Sequence, residues 1–149
     1  MAPSPDLPNR VRLVVTRLAR RLRQQAEAPV SPTQAAVLAT IERRGPLTLG
    51  ELAEAERVQP PTITAAVDRL EHHDLVARER DAQDRRVVLV EVTDAGRALL
   101  AEVRTRKRAY LEQQLARLPA RDRATLERAA SILERILEEP GDDRPEPRR

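Results

Sequence analysis

Apolar residues recur every three or four positions along much of the chain, which is the spacing of one face of an α-helix. Near the N-terminus this pattern predicts a first helix from about residue 7 or 8 to residue 25, closed by Pro29. Its apolar stripe consists of Val11, Val14, Val15, Leu18 and Leu22. Arginines crowd the remaining surface, so the stripe is the face that needs a partner.

Two capping boxes predict the starts of the next two helices. In SPTQ, at 31–34, Ser31 is the expected N-cap, and in TLGE, at 48–51, Thr48 takes that position. Each motif places a Gln or Glu three residues after the cap, where its side chain bonds back to the cap residue. The first of these helices should end at residues 44–46, Arg-Gly-Pro, and the second should be short.

A further helix should open at QPPT, residues 59–62, because proline is tolerated in the first turn. Ile63, Val67 and Leu70 lie at i, i+4 and i+7, so they should face the core. The opposite face is small or polar and could be solvated or lie in a groove. With the residues that open the helix, this outward set is Gln59, Pro60, Pro61, Thr62, Thr64, Ala65, Asp68 and Arg69.

The pattern then changes to short β-branched runs. Residues 75–77 and the run from Val87 to Val92 predict two strands, joined by the charged segment 81–86. Thr93 is the expected N-cap of the helix that follows. A hairpin therefore separates the shorter helices from a long one.

The last two helices are predicted over 94–118 and about 120–138, with Pro119 between them. Arg106 interrupts the apolar seam of the first. The seam positions are Leu99, Val103, Tyr110, Leu111, Leu115 and Leu118, then Leu126, Ala130, Leu133 and Leu137. The tail, 139–149, has nothing to bury and should be disordered.

Composition constrains the core and the partner. Tyr110 is the only aromatic residue, so the core must be aliphatic. Lys107 is the single lysine among 27 basic residues. Arginine suits bidentate contact to phosphate or guanine, although compositional drift explains the excess equally well. The net charge of +3 fits a polyanionic partner without requiring one.

Several classes of function find no support. The chain has no cysteine, which excludes disulfides and thiol sensing. Four glycines leave no phosphate-cradling loop, and neither His72 nor His73 has an obvious nucleophile partner, so we expect neither an enzyme nor a cofactor. The two histidines fit a helix end better than a metal site. Without a signal region or a membrane-length apolar run, the expectation is a soluble, cytoplasmic protein.

The order of elements describes a winged helix-turn-helix, so the expected fold is mainly α with a small β-hairpin wing. In that arrangement the second helix of the pair fits the major groove of DNA. Backbone amides at its N-terminus favour a phosphate. An arginine on the hairpin can sense the width and potential of the minor groove.

The stretch VQPPTITAAVDRLEHHDLVARERDAQDRRVVLVEVTDAG resembles the core of MarR-type transcriptional regulators. The wing pattern Asp84-x-Arg86, then six residues to Thr93 and on to Gly96, is close to that family's signature, and the likeness covers about residues 8–138. It implies sequence-specific binding of double-stranded DNA by a homodimer, on a pseudo-palindromic operator with half-sites roughly 10 base pairs apart. The expected function is that of a repressor released by a small-molecule ligand.

The resemblance also divides the chain into an N-terminal dimerisation helix (1–30), a winged helix-turn-helix DNA-binding lobe (31–93), C-terminal dimerisation helices (94–138) and the disordered tail (139–149). The aliphatic stripes of the first and last helices have no sheet to cover. They therefore need partner helices, as a dimer would provide.

Carried over residue by residue, the resemblance assigns the outward set from Gln59 to Arg69 to the DNA groove. Ala65 departs from the family pattern, in which many members carry arginine, so base reading would depend on Arg69 and the threonines. In the wing, Asp84 should pair with Arg86 and brace the hairpin. Either Arg85 or Arg86 should then approach the minor groove.

The net charge of the predicted DNA-binding region does not support this interpretation. Residues 57–93 carry six arginines and seven acidic residues, a net charge of −1. The excess positive charge lies on the first helix and at residues 104–108, which we interpret as solvated flanks of the dimer helices. An Asp-x-Arg hairpin alone is more often a surface ion pair of little value. A helical adaptor that keeps the fold without binding DNA is therefore the alternative function.

Family members commonly bind small anionic or phenolic molecules in a cleft between the dimer helices and the winged lobe. Binding there lowers DNA affinity through coupling between the two sites. Arg17 and Arg20 are the candidates for such a ligand site in this chain. Tyr110 is interpreted as a packed core or interface residue rather than a ligand contact.

Overall fold

A computed structural model describes residues 6–138, which form six helices and one two-stranded antiparallel hairpin. In chain order the elements are α1 (Leu7–Ala26), α2 (Pro32–Arg44), α3 (Leu49–Glu56), α4 (Pro60–His72), β1 (Val76–Arg80), β2 (Val88–Val92), α5 (Asp94–Ala116) and α6 (Ala120–Glu138). The chain divides into two compact units, one ending at Tyr110 and the other beginning at Leu111. The tail at 139–149 lies outside the described residues.

Both predicted capping boxes are confirmed. The Ser31 hydroxyl accepts a hydrogen bond from the Gln34 amide at 3.2 Å, and the Gln34 side chain accepts one from the Ser31 amide at 3.0 Å. Thr48 and Glu51 repeat the exchange at the start of α3. The bond from the Thr48 amide also holds the pKa of the Glu51 carboxyl below its ordinary value. The starts of α2 and α3 are thus determined by residues within one turn.

The core of the winged lobe is aliphatic and lies where α2, α3 and α4 meet the hairpin and the start of α5. Ile63, Val67 and Leu70 are fully buried, which confirms the predicted inner face of α4. Burial of such a side chain contributes about 1.5–3 kcal/mol. The other completely buried large side chains are Leu38, Ile41, Leu52, Val37, Val76 and Val90.

The hairpin differs from its predicted bounds. β1 runs from Val76 to Arg80 rather than over 75–77, because its charged residues continue the ladder opposite Val88 and Val90 of β2. Val87 was predicted as strand but belongs to the turn, where its amide donates to the Asp84 carbonyl. Periodicity underestimates β1 because only its first residue is fully buried.

The root of the hairpin is held by a third short segment. Leu47, in the connection between α2 and α3, pairs with Val90 through two backbone hydrogen bonds of 3.2 and 2.8 Å. Both backbone bonding groups of Val90 are therefore used by this segment, while on its other side Val90 lies opposite Arg78 of β1 as a register pair without backbone hydrogen bonds. This pairing fixes the hairpin to the body of the lobe.

The junction between β2 and α5 is the tightest approach in the lobe. The Thr93 hydroxyl accepts a hydrogen bond from the Gly96 amide at 3.1 Å, as predicted for an N-cap, and donates one to the Asp74 carbonyl at 2.6 Å. A Cβ atom on Gly96 would lie 2.2 Å from the Leu75 carbonyl oxygen and 2.8 Å from a methyl group of Val92. Only glycine fits at this position.

Arg106 explains the interruption in the seam of α5. Its Nη1 donates to the carbonyl of Ala26, the last residue of α1, at 2.8 Å, and its Nη2 contacts Glu102 at 2.5 Å. A helix leaves its last four carbonyls without intrahelical partners. Arg106 supplies one such partner and connects α1 to α5.

The apolar residues of α1 and α6 remain largely uncovered within the described chain. Val14 is 62% exposed, and α6 has no buried residue. Nevertheless, none of the helices in residues 6–138 is long and apolar enough to cross a membrane.

We predict that Gly96→Ala destabilises the protein by roughly 1–3 kcal/mol, because the new methyl group overlaps a backbone carbonyl that is fixed by hydrogen bonding. Gly50→Ala is the matched control, since its Cβ would meet only the Thr48 hydroxyl at 3.9 Å. Alanine in a helix should be neutral or stabilising by up to about 1 kcal/mol. Urea unfolding of both variants at one protein concentration measures the difference. Equal midpoints for the two variants would show that the junction can relax.

Candidate nucleic-acid interface

The outward face of α4 is set by the burial of its inner face. All eight residues of the outward set from Gln59 to Arg69 are exposed, so the structure brings them together on one surface. The turn before α4 is fixed by Arg57, which takes a left-handed conformation with φ of 52°, and by Val58, whose amide donates to the Ala53 carbonyl. The helix-turn-helix formed by α3, this turn and α4 therefore holds the surface in place.

The start of α4 offers few backbone donors. Pro60 and Pro61 have no N–H group, and the amides of Thr62 and Ile63 both donate to the Gln59 carbonyl, at 3.0 and 3.3 Å. The expectation that backbone amides here would hold a phosphate is therefore not met. Any phosphate contact at this end must come from side chains.

The side chains of the outward face divide by chemistry. Gln59, Thr62 and Arg69 can donate hydrogen bonds, and Arg69 forms no ion pair with another residue in the part of the chain that the structure describes. Thr64 donates its hydroxyl proton to the Pro60 carbonyl at 3.1 Å, which leaves its oxygen able to accept a hydrogen bond. Ala65 adds an apolar position. The surface can thus combine donor contacts with apolar contact to thymine methyl groups.

Asp68 differs from the rest of the outward set because its side chain is bonded to the wing. Its carboxylate accepts a hydrogen bond from Nη2 of Arg78, on β1, at 2.6 Å. Nη1 of the same arginine contacts Glu71, one turn further along α4. The hydrogen bond to Asp68, with the charge of Glu71, holds the pKa of Arg78 above its ordinary value. Sequence reasoning missed Arg78, because no local pattern connects it to residues ten positions earlier.

The wing tip is organised by two aspartates. The predicted pair is present, since Nε of Arg86 lies 3.3 Å from the Asp84 carboxylate, which also accepts the Arg86 amide at 3.0 Å. Asp81, which sequence reasoning missed, accepts the amides of Gln83 and Asp84, both at 2.8 Å. These two bonds, led by that from Asp84, hold the pKa of Asp81 below its ordinary value. An aspartate two or three residues before a turn amide is the signal that could have identified it.

The arginines of the tip stay accessible. The Arg86 side chain is 93% exposed despite its ion pair, and Arg85 is exposed beside it. Arg80 donates to the Arg85 carbonyl at 3.3 Å, which further fixes the tip backbone. The wing therefore presents two adjacent guanidinium groups on a braced turn.

A separate cavity of about 610 Å³ lies between α1, α2 and α5, and we call it the α1–α2–α5 cavity. Its walls are mostly alanine, valine and leucine side chains, and its basic residues are Arg23, Arg104 and Lys107. Arg104 is held by Glu42 at 2.5 Å, and this hydrogen bond keeps the Arg104 pKa above its ordinary value. Arg17 and Arg20, the predicted ligand residues, do not line it. The cavity is apolar with a cationic margin.

The two histidines lie at the end of α4, where His73 is the C-cap. Their rings are 5.5 Å apart in an edge-on arrangement. Among residues 6–138 no group of three or more His, Asp or Glu side chains is placed to hold a metal ion. The histidines therefore belong to no such group in the described structure.

Comparison with known proteins agrees with this geometry. The MarR family model matches residues 30–88. An HTH-type transcriptional regulator of Mycobacterium leprae is 36% identical over 85% of this chain and 90% of its own length. The transcriptional repressor MdtR of Bacillus subtilis is 37% identical over 58% of this chain and 56% of its own. A crystal structure of a transcriptional regulator from Pseudomonas aeruginosa matches with a TM-score of 0.82 and 32% identity, over 93% of this chain and all of that one.

Proposed function

Because the chain belongs to the MarR family of DNA-binding transcriptional regulators, which are not enzymes, we propose that it acts as a homodimeric repressor on a pseudo-palindromic operator. A small anionic ligand would release it. The observation that carries this proposal is the exposed outward face of α4 together with a wing tip on which the side chains of Arg85 and Arg86 are both exposed. A regulator of this kind would work in the cytoplasm, where bacterial DNA lies.

The DNA contacts follow from the chemistry of the two surfaces. With α4 in the major groove, Arg69 can make a bidentate contact to guanine, and the threonine methyl groups and Ala65 can contact thymine. The wing would place Arg85 or Arg86 in the adjacent minor groove. Asp84 supports this role because it restrains Arg86 before binding, which reduces the entropy lost on contact.

The uncovered helices support a dimer. α1 exposes an aliphatic stripe, and α6 exposes Ile132, Leu133, Ile136 and Leu137. Contiguous apolar surface of this kind marks a protein interface. Two-fold symmetry would then set two copies of α4 about one helical turn of DNA apart, which is the reason to expect a pseudo-palindromic operator.

The α1–α2–α5 cavity supports a ligand response. Its apolar walls and cationic margin suit a small organic anion. α2, which forms one wall, also packs against α4 in the core of the lobe. A ligand that shifts α2 against α1 and α5 would therefore change the position of the recognition surface, and DNA affinity would fall through coupling. The name of the relative MdtR, a repressor, supports repression as the default activity.

The first prediction from this proposal concerns the wing. Selection from random duplexes by the wild-type protein should enrich a pseudo-palindrome, and Arg86→Ala should bind that site about tenfold or more weakly, with a salt slope shallower by about 1. Arg85→Ala, measured in parallel, shows which arginine carries the contact. Arg121→Ala is the charge-matched control, because Arg121 lies on α6 and is 89% exposed. If no duplex is enriched at low salt, the adaptor alternative replaces the repressor proposal.

The second prediction concerns the dimer. Sedimentation should give twice the chain mass of 16.8 kDa. Val15→Glu on the α1 stripe should raise the dimer dissociation constant by about a hundredfold, because a two-fold interface places the charge at two sites. Thr16→Glu adds the same charge at the neighbouring exposed position and should have a much smaller effect. Equal dissociation of both variants would contradict a dimer interface along this stripe.

The third prediction concerns the cavity. Benzoate should raise the melting temperature and weaken operator binding, and its neutral analogue benzyl alcohol should do neither at the same concentration. Lys107→Met should raise the benzoate concentration needed for a half-maximal effect by about tenfold, since it removes one cation from the margin of the cavity. Arg20→Met tests the alternative position on α1. No response to millimolar benzoate would contradict an anion site in this cavity.

A further inference from the structure

A three-residue ion cluster connects the recognition helix to the wing, and nothing in the proposed DNA contacts uses it. Asp68 and Glu71 lie one turn apart on the C-terminal half of α4, and both are bonded by Arg78 of β1. The Arg78 side chain is only 25% exposed, whereas Asp68 is 58% exposed. The arginine thus reaches from the base of the wing to carboxylates at the edge of the groove-facing surface.

Arg78 lies at the root of the wing, where the hairpin meets the helix-turn-helix. It lies opposite Val90 in the hairpin, and Val90 is in turn bonded to Leu47 of the helix-turn-helix connection. Arg78 therefore belongs to the part of the wing that is bonded to the helix-turn-helix rather than to its tip. A side chain extended from such a base can hold a neighbouring helix in place.

The charges of this cluster oppose DNA binding unless they are paired. Asp68 is adjacent to Arg69, the residue proposed to read a base, and Glu71 lies half a turn beyond. Carboxylates directed at DNA phosphates cost affinity through like-charge repulsion. Arg78 neutralises part of this charge and bonds both carboxylates to the wing.

The bond to Arg78 also decides what Asp68 does. A free carboxylate in the major groove can accept a hydrogen bond from cytosine. In this protein a carboxylate oxygen of Asp68 is already engaged by a guanidinium at 2.6 Å. Breaking that contact to read a base would leave Arg78 with a weaker partner and would loosen the wing from α4.

We propose that Arg78 is a positioning residue for DNA binding, which holds Asp68 and Glu71 away from the phosphates and joins α4 to the wing. Asp68 then serves this link and does not read a base. The inference rests on the proposed DNA-binding function and adds to it a residue that does not itself touch DNA.

The experiment measures operator affinity at two salt concentrations for wild type, Arg78→Gln and the triple variant Asp68→Asn/Glu71→Gln/Arg78→Gln. Arg78→Gln should bind about tenfold more weakly at low salt, because two carboxylates are left facing the DNA. The loss should shrink at high salt, since salt screens exposed charges. The triple variant should recover most of the affinity, although it also lacks the arginine.

Arg97→Gln is the matched control, because it removes the same charge from an exposed ion pair within α5, with Asp94. Arg78→Lys keeps the charge but not the two-point contact, so it should fall between wild type and Arg78→Gln. Circular dichroism at the assay temperature checks whether Arg78→Gln is folded. If it folds poorly, Arg78→Lys still tests the proposal. Selection with Asp68→Asn should return the wild-type site.

The proposal is overturned if folded Arg78→Gln binds as tightly as wild type, or if the triple variant binds no better than Arg78→Gln. In the second case the carboxylates are not the cause of the loss. A changed base preference for Asp68→Asn would overturn the assignment of Asp68. Failure of the wild-type protein itself to bind any duplex is a separate result, which removes the DNA-binding proposal and this inference with it.

Discussion

The burial of Ile63, Val67 and Leu70 fixes the rotation of α4, and the rest of the interface depends on that rotation. Because these three side chains have no exposed surface, α4 cannot turn without withdrawing them from the core. Each would then lose about 1.5–3 kcal/mol of burial free energy. The residues that face outward are therefore determined by the residues that face inward. The wing is bonded to the same lobe through Val90 and Leu47, so both elements of the proposed DNA interface share one support.

The features that sequence could predict are those determined within a few residues. Ser31 and Thr48 identify helix starts because the capping box closes within one turn. The inner face of α4 follows from periodicity, and Asp84 pairs with Arg86 two positions away. The pairing of Leu47 with Val90 and the contact of Arg78 with Asp68 could not be predicted in this way. They depend on how the hairpin folds back onto the helices, and neither leaves a periodic signal.

In the winged lobe, the positions and partners of the charged residues matter more than their net charge. Seven acidic residues against six arginines would repel DNA if all were free. Several of the acids have structural partners: Asp81 accepts turn amides, Asp84 binds Arg86, and Asp68 binds Arg78. Arg69 and Arg85 form no ion pair with any residue among 6–138. The net charge of the lobe therefore hides an unpaired cationic surface.

The same helix, α2, takes part in both the core and the cavity, and this arrangement limits how a ligand could act. Its buried side chains, among them Leu38 and Ile41, pack in the core with α4, while Ala35 and Ala39 line the α1–α2–α5 cavity. Small side chains on the cavity wall let a ligand approach the backbone of α2 closely. Since a packed core changes between discrete arrangements and not by gradual deformation, a ligand there would move α2 and α4 as one body. In the proposed dimer, the spacing between the two copies of α4, rather than the fold of either lobe, is then the quantity that the proposed ligand would control.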